Sequence, residues 1–462
     1  METLAAPPGG PPAGSATVQP ATRLRGELHL PGDKSISHRA LMLALLAEGE
    51  TRIHGAGDGA DVRSTAAIAR GLGATVERVP GDGSNVGYVV VSPGDAGLLA
   101  PAAVLDCGNS GTSLRLYAGI LAGLPLTAVL DGDASLRRRP VARIIEPLRA
   151  MGATLDAHDH DSLPPVTVTG RRPLRPIDWT TPVPSAQVKS AILLAGLRAG
   201  GTTRVHERVA TRDHSERMLR ARGVTVRSLP DGAGGTMIEI DGGTAVQAME
   251  ERVPGDPSAA AFWLVAGAVH PDAEIVVRNV GVNPTRRAII DLLARMGAWI
   301  EERPVGRAAG PAAAAVAADA GEPVADLAVR SSDLEAIDVG PAEVAAAIDE
   351  IPILCLAATQ ARGRTTIRGA GELRHKESDR LAGIAAGLGA LGARITVDGD
   401  DLTIDGPVRL TGAATDSLDD HRLGMTFAIA GLIAAGRTTV GRPASASISY
   451  PGFFTDLERI RA

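Results

Sequence analysis

With 462 residues, 44% of them hydrophobic, and a formal charge of -6, the chain can bury one large core or two to three ordinary ones but lacks the broad positive surface that nucleic acid or an anionic membrane attracts. Aromatic residues make up only 2%, which excludes a platform of rings for base stacking and points to a core of Ala, Leu, Ile, Val and Gly. Cys107 and Cys355 are the only cysteines, too few for a disulfide framework or a four-cysteine zinc site.

In chain order, residues 1 to about 20 are Pro, Gly and Ala with little to bury, and are expected to form a disordered tail. No leader of basic then apolar residues follows, and no uninterrupted apolar stretch is long enough to span a bilayer. A soluble, cytoplasmic protein is therefore expected. From residue 32 onward two marks recur. One is a strongly apolar helical run followed by a Gly-x-Thr-x-Val type strand, as at Gly49 to Ile53, Gly201 to Val205, Gly363 to Ile367 and Gly436 to Val440. The other is an amphipathic helix that ends in Gly before a strand, at Gly73, Gly152, Gly223, Gly297 and Gly392, where the glycine reads as a helix C-cap. Caps recur roughly every 70 to 80 residues once an Ala/Gly-rich insertion at about 303–324 is set aside, which implies six α/β units.

Each unit carries one helix that is apolar around most of its circumference, over 35–47, 112–122, 185–197, 257–269, 350–359 and 420–435, the pattern of a buried helix. Six units divide into two domains of three: 32–253, and 21–31 joined to 254–462. The strand around Leu24 to Leu30 can join either half on sequence grounds.

The polar outliers stand at the starts of these apolar helices, where free N–H groups and the helix dipole favour anions. They are Lys34-Ser35 with Arg39, Asn109 to Arg115 with Gly111, Arg137-Arg138-Arg139, Ser185-Ala186-Gln187, Arg212-Asp213-His214, Asp349-Glu350, Lys376 to Arg380 and Asp420-His421-Arg422. A P-loop is excluded because Asp33 stands where the glycine before the lysine belongs. Taken singly, most of these clusters read equally well as capped helices or solvated charge. Asp349 introduces an apolar helix, a setting expected to raise a carboxyl pKa and make a base. His158-Asp159-His160-Asp161 raises a metal site as a question, but a charged run between a helix cap and a Pro-rich turn reads as solvated loop.

Together, and in this order over about residues 23 to 458, these motifs resemble the EPSP synthase family. The resemblance implies an inside-out α/β barrel of two domains, each of three βαβαββ repeats around buried parallel helices. It also implies transfer of the enolpyruvyl group of phosphoenolpyruvate to the 5-hydroxyl of shikimate 3-phosphate, by a monomer that uses no metal or cofactor. By resemblance, Lys34, Gly111, Arg139, Gln187, Arg380 and Arg422 hold phosphoenolpyruvate. Lys34, Ser35, Arg39, Ser185, Ala186, Gln187, Arg212, Asp349 and Lys376 hold shikimate 3-phosphate. Glu377 is assigned as acid, Asp349 as base, and Lys34 as the group assisting phosphate departure, with closure of the two domains assembling the site. Ile448 departs from the many members that carry Lys there. Two rivals remain: the sibling transferase that acts on UDP-N-acetylglucosamine, which generally uses a loop cysteine that neither Cys107 nor Cys355 matches, and a noncatalytic anion-binding relative.

Overall fold

The computed structural model describes residues 14–81, 85–232, 234–305 and 321–461. Among them lie six sheets. Five are four-stranded and share one plan, in which a parallel pair is extended by two antiparallel partners. In one, Glu48–Ala56 pairs in parallel with Glu250–Arg252 and antiparallel with Val86–Pro93, which in turn pairs with Thr75–Pro80. In the sixth, three-stranded sheet Thr438–Gly441 lies between Ala414–Asp416 and Ser15–Val18. That strand corrects the expected tail: Ser15–Val18 is ordered because Thr438–Gly441 supplies its ladder partners and Val18 enters the core. The rest of the expected tail, 1–13, lies outside the described residues, as does most of the 303–324 insertion; its flanks, Trp299–Pro304 and Val324–Arg330, form an antiparallel pair.

The apolar runs fold as the helices Lys34–Leu46, Gly111–Ala122, Ala186–Gly196, Pro257–Val269, Ile351–Gln360 and His421–Ile433, each buried on nearly every side. Because apolar residues surround them, only their ends can carry polar groups without a desolvation penalty. Five begin with a side-chain cap, from Asp33, Ser110, Ser185, Asp256 and Asp420. The five expected C-cap glycines all have left-handed φ, between +82° and +105°, a conformation that a Cβ would strain.

Buried apolar side chains form two clusters. One draws on residues from Ile36 to Val253, the other on Val18, Leu24 to Leu30 and Ala259 to Ile460. The chain passes between them twice, since Leu24–His29 pairs with Ala273–Gly281 and Glu250–Arg252 with Glu48–Ala56. The two passages run side by side: Asp33 N donates to Pro254 O at 2.7 Å and Asp256 N to Pro31 O at 3.0 Å. Gly32 is required there, because a Cβ would lie 2.0 Å from the Gly55 carbonyl oxygen.

Candidate active site

Side chains from the two clusters meet across the ion pairs Arg212–Asp349 and Arg139–Glu377, and Lys34 and Arg422, at the starts of two buried helices, stand near the same carboxylates. The C-terminal wall of this cleft is built around Arg380, only 1% exposed. Its Nε donates to Asp420 Oδ2 at 2.8 Å, Nη1 to Asp349 Oδ1 at 3.3 Å and Nη2 to Glu377 Oε2 at 2.6 Å. A buried guanidinium is tolerated when its donors meet carboxylates, so Arg380 fixes three acidic side chains at once. Lys376 Nζ approaches Asp349 Oδ1 at 3.4 Å.

The N-terminal wall reaches across. Arg212 Nη2 donates to Asp349 Oδ2 at 2.7 Å, and Arg139 Nη2 lies 3.8 Å from Glu377 Oε1. Arg139 also donates to Asn109 Oδ1 at 2.7 Å. Its neighbours Arg137 and Arg138 are exposed, with Arg137 bound to Asp131. Lys34, the first residue of its helix, places Nζ 2.5 Å from Asp61 Oδ2. Gly111 opens the next helix, and a Cβ there would lie 2.6 Å from Arg115 Nη1 and 3.6 Å from Arg139 Nη1. Arg115 donates to Gln187 Oε1 at 2.7 Å, and Gln187 Nε2 to Thr112 Oγ1 at 3.0 Å. Ser185 caps the helix that begins with Ala186. Arg39 is buried with all three guanidinium nitrogens engaged, on Ser215, Ser190 and the Ser35 carbonyl; burial lowers its pKa to about 10.

The expected raised pKa of Asp349 is overturned. Burial does push it up, but Lys376, Arg212, Arg422 and Arg380 outweigh burial and hold it well below the usual carboxylate range. Its local neighbours are apolar; its spatial neighbours are cations. Nor does Asp349 cap the following helix, whose N-cap is Glu350. Glu377 behaves alike, with burial outweighed by Arg380 and further cations including Arg139 and Lys34.

Cations exceed their bonded anions on the inner face. The Arg422 guanidinium, 6% exposed, has no hydrogen-bond or ion-pair partner among the described residues, and its Nε is fully buried. Arg139 Nε and His421 Nδ1 are buried and unpartnered too, and burial keeps His421 well below its ordinary pKa, hence neutral. A cavity of about 250 Å³ opens beside Arg139, lined also by Arg138, Arg374, Lys376 and Glu377 among others. Such a surplus of desolvated donors fits anionic ligands. Away from the cleft, Asp161 of the charged run pairs with Arg149, and no group of three potential metal ligands occurs among the described residues.

Of the residues singled out in the sequence, the structure places Lys376, Arg212, Arg422 and Arg380 around Asp349, and Arg380, Arg139 and Lys34 around Glu377. Two further residues stand beside them that the sequence did not single out: Asp61, whose only local signal is an acid in the first turn of Ala60–Gly71, and Arg286, considered below.

The family model of EPSP synthase (3-phosphoshikimate 1-carboxyvinyltransferase) matches residues 18–457. A 3-phosphoshikimate 1-carboxyvinyltransferase from Gloeobacter violaceus is 50% identical over 449 residues, covering 96% of this chain and 98% of that protein. One from Bacillus cereus is 44% identical over 96% of this chain and 99% of its own length. The solved EPSP synthase of Acinetobacter baumannii superposes with a TM-score of 0.83 at 38% identity, over 97% of this chain and 98% of that one.

Proposed function

The chain belongs to the EPSP synthase family, and from that membership we propose how its residues carry the reaction. It transfers the enolpyruvyl group of phosphoenolpyruvate to shikimate 3-phosphate and releases phosphate. The acceptor 5-hydroxyl adds to C2 of phosphoenolpyruvate as C3 is protonated, giving a tetrahedral intermediate. Cleavage of the C2–O bond then expels phosphate, and C3 returns its proton.

Two phosphates and two carboxylates must enter one cleft. Lys34, Gly111, Arg139, Gln187, Arg380 and Arg422 bind phosphoenolpyruvate; Lys34, Ser35, Arg39, Ser185, Ala186, Gln187, Arg212, Asp349 and Lys376 bind the acceptor. The observation that carries this reading is the Arg422 guanidinium, buried beside Asp349 without a bonded anion. Asp349, held ionised by four cations, serves as the base for the acceptor hydroxyl. Glu377 serves as the acid at C3. In the free protein it is anionic, so the incoming negative charge of phosphoenolpyruvate, competing for Arg380, Arg139 and Lys34, is what raises its proton affinity. Lys34 neutralises the departing phosphate.

The two apolar clusters and six sheets support a reading of two domains, 32–253 and 21–31 plus 254–462, each an inside-out barrel of three βαβαββ units. Ion pairs that cross between the clusters, Arg212–Asp349 and Arg139–Glu377, support closure as the step that assembles the site. We read the protein as a cytoplasmic monomer that needs neither metal nor cofactor. The test is phosphate release from phosphoenolpyruvate, in chelator, with shikimate 3-phosphate against UDP-N-acetylglucosamine. Turnover with shikimate 3-phosphate alone is expected; turnover only with the nucleotide sugar overturns the acceptor assignment.

A further inference from the structure

The loop between the strand Ala273–Gly281 and the helix Ala288–Arg295 touches none of the proposed substrate ligands directly, yet it meets Asp213 and Asp33, which adjoin Arg212 and Lys34 in sequence, and reaches Glu350, which adjoins Asp349, through Ser258. Asn283 is 1% exposed and its Nδ2 donates to Asp213 Oδ1 and Glu322 Oε2, each at 2.7 Å. Thr285 Oγ1 donates to the same Asp213 oxygen at 3.3 Å. Glu322 in turn holds His214 Nδ1 at 2.7 Å. The Asp213-His214 turn, part of the N-terminal cluster's side, is thus docked onto the C-terminal side immediately beside Arg212.

Arg286, 5% exposed, works at the crossing point of the two passages. Its Nη2 lies 3.7 Å from Asp33 Oδ2 and 3.3 Å from Asp256 Oδ1, and donates to Ser258 Oγ at 2.7 Å. Asp33 caps the helix that begins with Lys34, through Oδ1 and Ile36 N at 2.8 Å. Its Oδ2 is buried with no hydrogen bond, so Arg286 is the charge that compensates it. Ser258 Oγ donates onward to Glu350 Oε1, the residue after Asp349.

We infer that the Asn283-Pro284-Thr285-Arg286 loop is a positioning element for the transfer reaction: Asn283 and Thr285 set Arg212 through Asp213, while Arg286 sets Lys34 through Asp33 and Asp349 through Ser258 and Glu350. A loop that served only to hold the fold would have no reason to meet the sequence neighbours of two site residues and, through Ser258, that of a third. Catalytic groups lose efficiency steeply when displaced, by about 100-fold for roughly 1 Å. The inference rests on the reading of Arg212 and Asp349 as acceptor-site groups.

Two variants divide the roles. Asn283→Ala is expected to raise KM and calorimetric Kd for shikimate 3-phosphate about tenfold, with kcat and the KM for phosphoenolpyruvate within about threefold of the parent. Arg286→Lys keeps a cation near Asp33 and Asp256 but moves it off the point where Nη2 meets both of them and Ser258; kcat is expected to fall about tenfold or more and, because Lys34 and Asp349 also hold substrate, to change by more than either KM does. Thermal midpoints and the fraction of active protein are measured alongside. Parent-like kinetics in both variants, or losses accounted for entirely by a smaller folded fraction, overturn the proposal. Failure of the parent enzyme itself to turn over shikimate 3-phosphate would instead strike the functional reading, and is read from the parent alone.

Discussion

Arg422 offers a test in which stability and activity should move in opposite directions. It is buried, its guanidinium lacks a bonded partner among the described residues, and its acidic neighbours are already served, Asp349 by Lys376, Arg212 and Arg380 and Asp256 by Arg286. Burying an uncompensated charge costs several kcal/mol after relaxation. Arg422→Met keeps most of the side-chain volume, removes that charge and leaves Asp349 paired. After allowance for lost attraction to its acidic neighbours, we expect the ligand-free protein to gain about 1–2 kcal/mol, a rise of about 2–8 °C in Tm if one domain melts independently. Binding moves the other way. Two charge-assisted hydrogen bonds to an anion, at about 1.5 kcal/mol or more each, make a loss of about 3 kcal/mol, or roughly 100-fold in kcat/KM for phosphoenolpyruvate. The assay is phosphate release with phosphoenolpyruvate varied at saturating shikimate 3-phosphate, alongside thermal melting without ligand. An unchanged KM for phosphoenolpyruvate together with a lowered Tm would refute the reasoning, because Arg422 would then be a structural cation whose partner is the protein.

Asp349→Asn and Glu377→Gln should each lower kcat by about 10²- to 10⁴-fold, the span expected for a positioned base or acid, while both proteins still bind shikimate 3-phosphate by calorimetry. Gly111→Ala brings a methyl to 2.6 Å from Arg115 Nη1; the arginine head shifts off Gln187, and KM for phosphoenolpyruvate should rise about tenfold while Tm changes little. Lys189→Met removes the cation that Glu207 and Glu216 share at 1–2% exposure, leaving two buried carboxylates without it, and denaturant titration should show a loss of about 3–5 kcal/mol. For pH, the folded-state pKa values of Asp349 and Glu377 lie below their unfolded values of about 4. Their stabilisation is therefore fully present above about pH 4 and is lost as pH falls through the lowered values. Urea midpoints should decline on that acid side, and the Asp349→Asn, Glu377→Gln double variant should flatten the decline.

What could be read from the sequence, and what could not, divides by the range of the interactions involved. Helix starts such as Asp33-Lys34-Ser35 and Asp420-His421-Arg422 were legible because capping is local: a polar cluster in front of an all-apolar run belongs at the helix start, where free N–H groups need partners. The C-cap glycines were legible for the same reason, since left-handed φ is a property of one residue. Ser15–Val18 was not, because a short Ala- and Thr-containing segment becomes a strand only when Thr438–Gly441 lies beside it. The charge state of Asp349 was misjudged on the same ground. Its neighbours in sequence are apolar, whereas the cations that decide its pKa stand 27, 31 and 137 residues away in the chain. Arg286 is the extreme case: one of two adjacent arginines after a Pro-Thr pair looks like solvated charge, and only the crossing of the two passages puts Asp33, Asp256 and Ser258 around it. A positioning residue of this kind is recognisable by what its neighbours' neighbours do, and sequence carries no measure of that distance.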